Sequence, residues 1–380
     1  MPTLFVSDAI HQERLVFDPP QSPPRQGLRG WKALSALYQA SFAACQYRVE
    51  PVVRPEIYQT EVARKARGVS AGDWHLAVKP LEHLRPFHGL RNIFVCDWPF
   101  PELSAAPLGG SPFFDQRRLL NVADAVLCCT EFTASTLRTA GVNGVITLPP
   151  HIPPPERRDA APSPSLAQCR FLCVVDSDHL FRQLGPVIEG FARAAAHRHG
   201  LHLILCLQGG GAEALAALQR QVTQAVPGPT REETLSVVGS AADGTETRLR
   251  AGADFFLCAD AAPGLHIPLV EAMWAGLPLV TTMTAGTASF LPAEAAVTIA
   301  TERQTFAGDD EPISRFLPLT CHAPTADAVK DAVIAAASLD AAARAHLAKT
   351  GREIAERRFG LAAFRQGLTQ LAACLPPEAG

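Results

Sequence analysis

The chain has 380 residues, 47% of them hydrophobic and 19% charged, with a formal net charge of −3. This composition excludes a disordered protein, and the length is too great for one ordinary core but suits two domains of roughly 150–200 residues. Neither half carries the basic excess that a nucleic-acid binder needs, so no nucleic-acid partner is expected.

In chain order, short apolar runs alternate with helical patterns. TLFVSD (3–8) predicts a first strand, QGLRG (26–30) a glycine-bearing turn and WKALSALYQASFAAC (31–45) a helix. YRVEPVV (47–53), HLAV (75–78) and NIFVCD (92–97) predict further strands. Residues 119–141 hold a helix, the strand AVLCC and a second helix stopped by Gly141, and GVITLP follows as a strand. PPHIPPPERRDAAPSPS (149–165) is too rich in proline for either element and predicts a stiff spacer. The alternation then resumes: strands at 170–176, 201–207, 234–239 and 253–260, with a helix at 186–198 and another after Gly209-Gly210-Gly211. A C-terminal segment from about residue 339 reads as one or two amphipathic helices.

The strands are continuous apolar runs, so both faces are buried, which is the pattern of parallel sheets covered by helices. The expected architecture is α/β, with two doubly wound Rossmann-like domains. Residues 1–150 form the first, 151–165 the linker and 166–357 the second; a final helix over 358–380 is expected to pack back on the first.

No apolar run approaches the ~20 residues of a membrane-spanning helix, and MPTLFVSDAI lacks the pattern of a leader, so a cytoplasmic protein is expected. Cys96, Cys128, Cys129, Cys173, Cys206 and Cys258 lie in apolar strands without metal-ligand spacing and read as small buried hydrophobes. His75, His83 and His88 are irregularly spaced and read as solvated or capping residues. Asp176-Ser177-Asp178 reads as a strand end that caps the next helix rather than a metal motif. No metal site is expected. Arg64-Lys65-Arg67 reads as a wet helix face, with peripheral contact to anionic lipid as the alternative.

The most informative stretch is PGLHIPLVEAMWAGLPLVTT, residues 263–282. Pro263 to Pro268 predict a loop, the helical pattern runs from Leu269, Gly276 and Pro278 stop it, and Leu279 to Thr282 restart as a buried strand. A loop that opens a helix in an α/β domain presents backbone N–H groups and a positive dipole end, a site suited to phosphate. Glu271 is placed in the first turn beside it. A solvated strand–helix turn is the alternative.

With Pro268, Glu271, Ala272, Met273, Gly276 and Pro278 in place, this stretch resembles the E-G-F-G-L-P-x-x-E-A-M-A-x-G-x-P-V-V segment of the retaining GT-B glycosyltransferases of family 4. The resemblance is clearest over residues 168–300. It implies two Rossmann-like domains, a donor nucleotide sugar (UDP- or GDP-sugar) in the second and a hydroxyl acceptor, glycan, lipid-linked or small molecule, in the first. It implies that Glu271 binds the ribose hydroxyls and that the backbone of Gly264, Leu265, His266 and Ile267 meets the diphosphate. Pro263 stands where the family has its first acidic residue, and Asp260 lies nearby. Phe181-Arg182-Gln183-Leu184 is similar to the family's R-K-N-L, which makes Arg182 the cation on the departing diphosphate. VCDWPFPEL (95–103) is similar to the segment carrying an acceptor-side catalytic residue, here Asp97, and Gly27 in QGLRG matches a glycine loop at the donor phosphates. No cofactor and no metal is implied. A non-catalytic relative that binds a nucleotide or a partner is the alternative, and a nucleotide-sugar epimerase on the same scaffold a further one.

Overall fold

The computed structural model describes residues 2–8, 29–70, 72–104, 115–155, 168–176, 180–226, 233–239, 244–306 and 319–375. The chain divides into two compact units: residues 1–152, 305–320 and 359–380, and residues 153–304 with 321–358.

The first unit is built on six strands: β1 (Thr3–Asp8), β2 (Arg48–Pro51), β3 (Trp74–Val78), β4 (Arg91–Cys96), β5 (Ala125–Cys128) and β6 (Val145–Thr147). They form one sheet in the order β2-β1-β3-β4-β5-β6, and every pairing is parallel. β3, β4 and β5 are buried almost throughout, as their unbroken apolar sequences require. Pro51 lies on β2, the edge strand, where a missing N–H donor is tolerated. Helix α1 (Arg29–Ala44) buries Tyr38 and Phe42 completely, and the Tyr38 hydroxyl donates to the Leu148 carbonyl at 2.6 Å. Further along are α2 (Glu61–Arg67), α3 (Gln116–Leu120) and α4 (Glu131–Thr139).

The second unit repeats the plan with β7 (Cys169–Asp176), β8 (Leu201–Gln208), β9 (Leu235–Gly239), β10 (Phe255–Cys258), β11 (Leu279–Thr282) and β12 (Ala296–Ile299). The order β9-β8-β7-β10-β11-β12 is again all parallel. Chain direction across the sheet reverses between β7 and β10, which makes the crevice beyond their carboxyl ends the ligand position of a doubly wound fold. The helices are α5 (Leu180–His197), α6 (Gly211–Ala225), α7 (Thr245–Gly252), α8 (Ile267–Ala275), α9 (Ala285–Phe290), α10 (Ala326–Ala337) and α11 (Ala341–Phe359). A two-stranded ribbon pairs β13 (Thr301–Phe306) with β14 (Leu319–Pro324). Helix α12 (Leu361–Cys374) belongs to the first unit, where Phe364 meets Phe42 edge-on at 5.3 Å.

The core of the second unit centres on Phe171, stacked on Phe255 at 5.0 Å and edge-on to Phe191 at 5.4 Å. α5 crosses α10 at Gly190, and a Cβ there would stand 2.4 Å from the Ala326 carbonyl oxygen and 2.7 Å from Val329 Cβ. Backbone cannot yield cheaply, so Gly190→Ala is predicted to destabilise this unit by about 1–3 kcal/mol. Thermal unfolding checks it, and an unchanged Tm would contradict the close crossing.

Several predicted boundaries shift. α5 begins at Leu180 rather than at residue 186 and carries Pro186 inside it. Burial of Leu184, Val187, Ile188 and Phe191 along one face offsets the lost backbone bond. α8 begins at Ile267, with Pro268 in its opening positions, so Glu271 lies in the second turn and not the first. The C-terminal segment is two helices, α11 and α12, parted at Gly360. All six cysteines expected to be buried are buried.

His75 is a correction. It is fully buried, not solvated or capping, because both ring nitrogens have partners: Ser7 Oγ at 2.9 Å from Nε2 and Asn92 Oδ1 at 2.9 Å from Nδ1. His83 is half-buried and His88 exposed.

Candidate functional site

The candidate site of the second unit lies at the carboxyl ends of β7 and β10. β10 ends at Cys258, and residues 259–266 lead into α8. The backbone of this loop is held at Asp260 and at Pro263. The Asp260 carbonyl accepts from Thr282 Oγ1 at 2.7 Å, at the end of β11. The Pro263 carbonyl accepts from the Gly286 N–H at 2.9 Å. Gly286 has no room for a side chain: a Cβ would lie 2.5 Å from the Gly264 carbonyl oxygen and 2.7 Å from that of Pro263. The preceding Ala285 sits at φ 44°, a left-handed conformation few non-glycine residues adopt. The path of residues 263–264 is therefore set by the start of α9.

His266 caps α8. Its Nδ1 accepts from the Leu269 N–H at 3.1 Å, filling one of the donors that a helix start leaves open. The capping nitrogen carries no proton, so the ring hydrogen is on Nε2, which faces Asp260 Oδ2 at 3.4 Å. Cys258, Asp260 and His266 bring one ligand atom each within 4.8 Å of one another, the spacing of a candidate metal cluster. The cap occupies Nδ1 and its tautomer protonates Nε2, so a metal would have to break the cap or expel that proton. Burial also pushes the Cys258 thiol up, away from the thiolate a metal binds. The three side chains fit a hydrogen-bonded cluster better than a cation site.

Glu271 projects from the second turn of α8 with its side chain 30% exposed, and one carboxylate oxygen, Oε2, pairs with Arg250 Nη2 of α7. The same Nη2 lies 3.0 Å from Glu246 Oε2, which also accepts from Gln208 Nε2 at 2.8 Å. Burial pushes the Glu271 carboxyl up, while the Arg250 guanidinium pulls it down.

The other residues expected to act on the donor divide. Gly264, Leu265 and His266 lie together between β10 and α8, and Ile267 opens α8. Arg182 lies in the first turn of α5, which follows β7, so its backbone stands at the same sheet edge; its side chain lies outside the described residues. Gly27 and residues 177–178 also lie outside them. Gly209, Gly210 and Gly211 turn β8 into α6 with three successive positive φ values, a path open to glycine alone.

Asp97 belongs to the first unit and follows β4. The loop after it is fixed by α4, where Thr133 Oγ1 donates to the Trp98 carbonyl at 2.8 Å and Thr136 Oγ1 to that of Phe100 at 3.4 Å. Pairing of Ala77 with Phe94 sets Lys79 level with Cys96, one residue short of Asp97. Lys79 is 1% exposed, and burial pushes its ammonium down to about 8. Asp8 closes the row at the end of β1, accepting from Gln39 Nε2 at 2.8 Å and Ser35 Oγ at 3.1 Å. This edge is the reversal point of the first sheet, between β1 and β3. In α2, Lys65 pairs with Glu61, Arg67 with Glu50, and Arg64 donates to the Gln59 carbonyl.

Lys79, Asp8, Arg250, Glu246 and Gln208 were not singled out from sequence. A charged residue directly after an apolar strand, as in LAVK, was the available signal for Lys79, and the Glu246–Arg250 spacing of four was the one for α7. Nothing in the sequence ties Arg250 to Glu271.

Together these features define a two-unit α/β protein of the GT-B glycosyltransferase fold, with its best-formed site at the β7/β10 reversal. No protein-family model matches the sequence, and no curated protein matches it. Solved structures do. A glycosyltransferase from Rickettsia africae ESF-5 superposes with a TM-score of 0.66 at 10% identity, over 99% of this chain and 99% of that one. A UDP-forming α,α-trehalose-phosphate synthase from Burkholderia xenovorans gives 0.59 at 12% identity, over 84% and 78%. S. aureus TarM, solved with fondaparinux, α-GlcNAc-glycerol and UDP, gives 0.53 at 10% identity over 79% of this chain; the matched part is 55% of TarM, so this chain spans about half of it. At these identities the likeness is one of fold. Among the described residues no helix is long and apolar enough to cross a membrane.

Proposed function

We propose that the protein is a glycosyltransferase that moves a sugar from a UDP- or GDP-sugar to a hydroxyl acceptor, with retention at the anomeric carbon and without a metal. The observation that carries this is the α8 entrance: a clamped loop opening a helix at the sheet reversal, with a half-exposed carboxylate, Glu271, one turn further on. UDP in the TarM structure and the UDP-forming activity named for the Burkholderia enzyme support a uridine donor.

In this reading the ribose hydroxyls donate to the Glu271 carboxylate. The backbone N–H groups of Gly264, Leu265, His266 and Ile267, with Arg182 from α5, stabilise the diphosphate as its charge grows. Asp260, held by His266 and Thr282, is the carboxylate available to the donor sugar where Pro263 replaces the family's acid. Asp97 acts on the acceptor side, steering or deprotonating the incoming hydroxyl. The acceptor is a glycan, a lipid-linked sugar or a small molecule, and the protein works in the cytoplasm or at the membrane's inner face.

The test is incubation with UDP-, GDP- and ADP-sugars, following nucleotide release and product. Glu271→Ala removes charged hydrogen bonds worth about 1.5–3 kcal/mol, so nucleotide affinity is expected to fall roughly 10–100-fold. Failure of the wild-type chain to bind any of these nucleotides sinks the proposal. Pro263 favours a second reading, a nucleotide binder without turnover; binding with no product across a broad acceptor panel would select it.

A further inference from the structure

Arg250 is buried, with its side chain 5% exposed, and pairs with Glu271, whose side chain is 30% exposed. One of its nitrogens, Nη2, serves two carboxylates, Glu246 and Glu271, while its Nε has no acceptor among the described residues. Such a group is a poor stabiliser. Burying one guanidinium against two acids costs desolvation that an apolar side chain would avoid, and the unsatisfied Nε adds to it. The arrangement makes sense as support for Glu271. The ion pair uses Oε2 alone, and Oε1 makes no hydrogen bond among the described residues. Glu246 is itself anchored by Gln208 at the end of β8, so the row runs Gln208, Glu246, Arg250, Glu271 from sheet to site.

We infer that Arg250 is a positioning residue: with Glu246 and Gln208 behind it, it fixes the Glu271 carboxylate so that Oε1 faces the ribose hydroxyls of a bound nucleotide. This rests on the nucleotide-binding role of Glu271. The charged groups that face Glu271 are Arg250 and Glu246, both from α7; α11 brings Arg352 only to the other end of α8, against Gly276. Burial and Glu246 both favour a protonated Glu271, and Arg250 opposes them. A protonated carboxyl loses acceptor capacity toward paired hydroxyls.

The experiment is calorimetric titration of the full chain with UDP and GDP, and with their 2′-deoxy analogues, from pH 5.5 to 8. The wild-type chain is expected to prefer the ribonucleotide, with a ribo-to-deoxy affinity ratio whose pH profile is flat; taking the ratio cancels the ionisation of the ligand's own terminal phosphate. Arg250→Met is expected to lose at least threefold of that preference, and the ratio is expected to fall further as pH falls, because the unsupported carboxyl protonates. Arg250→Lys keeps the charge, but a compact ammonium on a differently shaped stem replaces the planar guanidinium whose Nη2 meets both carboxylates; its profile stays flat while part of the preference is lost. A wild-type preference and flat profile in Arg250→Met overturn the inference. If that variant does not fold, Arg250→Gln takes its place, and an unchanged preference there overturns it. Equal nucleotide binding by wild type and Glu271→Ala is a distinct result: it removes the nucleotide role of Glu271 and this role of Arg250 with it.

Discussion

Gly286→Ala is expected to lower kcat/KM for sugar transfer by on the order of 100-fold while the chain still folds. The added Cβ meets two carbonyl oxygens, those of Gly264 and Pro263, at 2.5 and 2.7 Å. Both belong to backbone, so the residue cannot be accommodated by a side-chain rotation. The loop must move away from α9, and its motion carries the N–H groups of Gly264, Leu265 and His266 off the place proposed for the diphosphate. Misplacement by about 1 Å is enough to cost two orders of magnitude in a preorganised site. The same overpacking costs about 1–3 kcal/mol in stability, which a thermal melt separates from the kinetic loss. Wild-type kcat/KM and UDP affinity in Gly286→Ala would show that the loop is not where the diphosphate binds.

The second large effect concerns the first unit and pH. Asn92 Oδ1 accepts from His75 Nδ1, and the Ser7 hydroxyl donates to His75 Nε2, so the ring is held neutral. Burial pushes it down to about 4 from its ordinary 6.5, and Lys79 adds to the push. The folded value lies below the unfolded one, so the unfolded chain binds the extra proton between these limits. The resulting stability is fully present above pH 6.5 and is lost as pH falls toward 4. Its size at neutral pH is about 3 kcal/mol. Urea unfolding at pH 7 and pH 4.5 should show the loss. In His75→Gln, itself less stable at pH 7, the histidine part of the slope should vanish. An equal slope in the variant would mean that other groups carry the acid sensitivity.

Much of the fold was legible because parallel strands buried on both faces write themselves as unbroken apolar runs. TLFVSD is β1 residue for residue, and the stops at Gly141 and Gly276 fall where helices end. The region between Thr282 and Leu339 was not legible. Helices α9 and α10 and the ribbon β13–β14 mix short elements with small residues, and no periodicity long enough to read survives there. Helix α5 was read too short because Pro186 is a local signal against helix, overruled by burial of the face around it.

The candidate site divides the same way. The entrance of α8 with Glu271, the adjoining backbone from Gly264 to Ile267, and the place of Asp97 after a strand are contiguous in sequence, and short-range chemistry identifies them. Asp8 and Lys79 meet at one edge through β1–β3 pairing, 71 residues apart in the chain. The Gly286 clamp and the Arg250–Glu271 pair likewise join separate segments. The sequence by itself determined the element types, the parallel sheets and the helix that carries Glu271, because burial on two faces, caps and stops act over a few residues. Only the tertiary structure decided the strand order, the buried Ser7–His75–Asn92 row and the support behind Glu271. Desolvation, ion pairing and backbone clearance depend on distances between segments that local residue patterns do not encode.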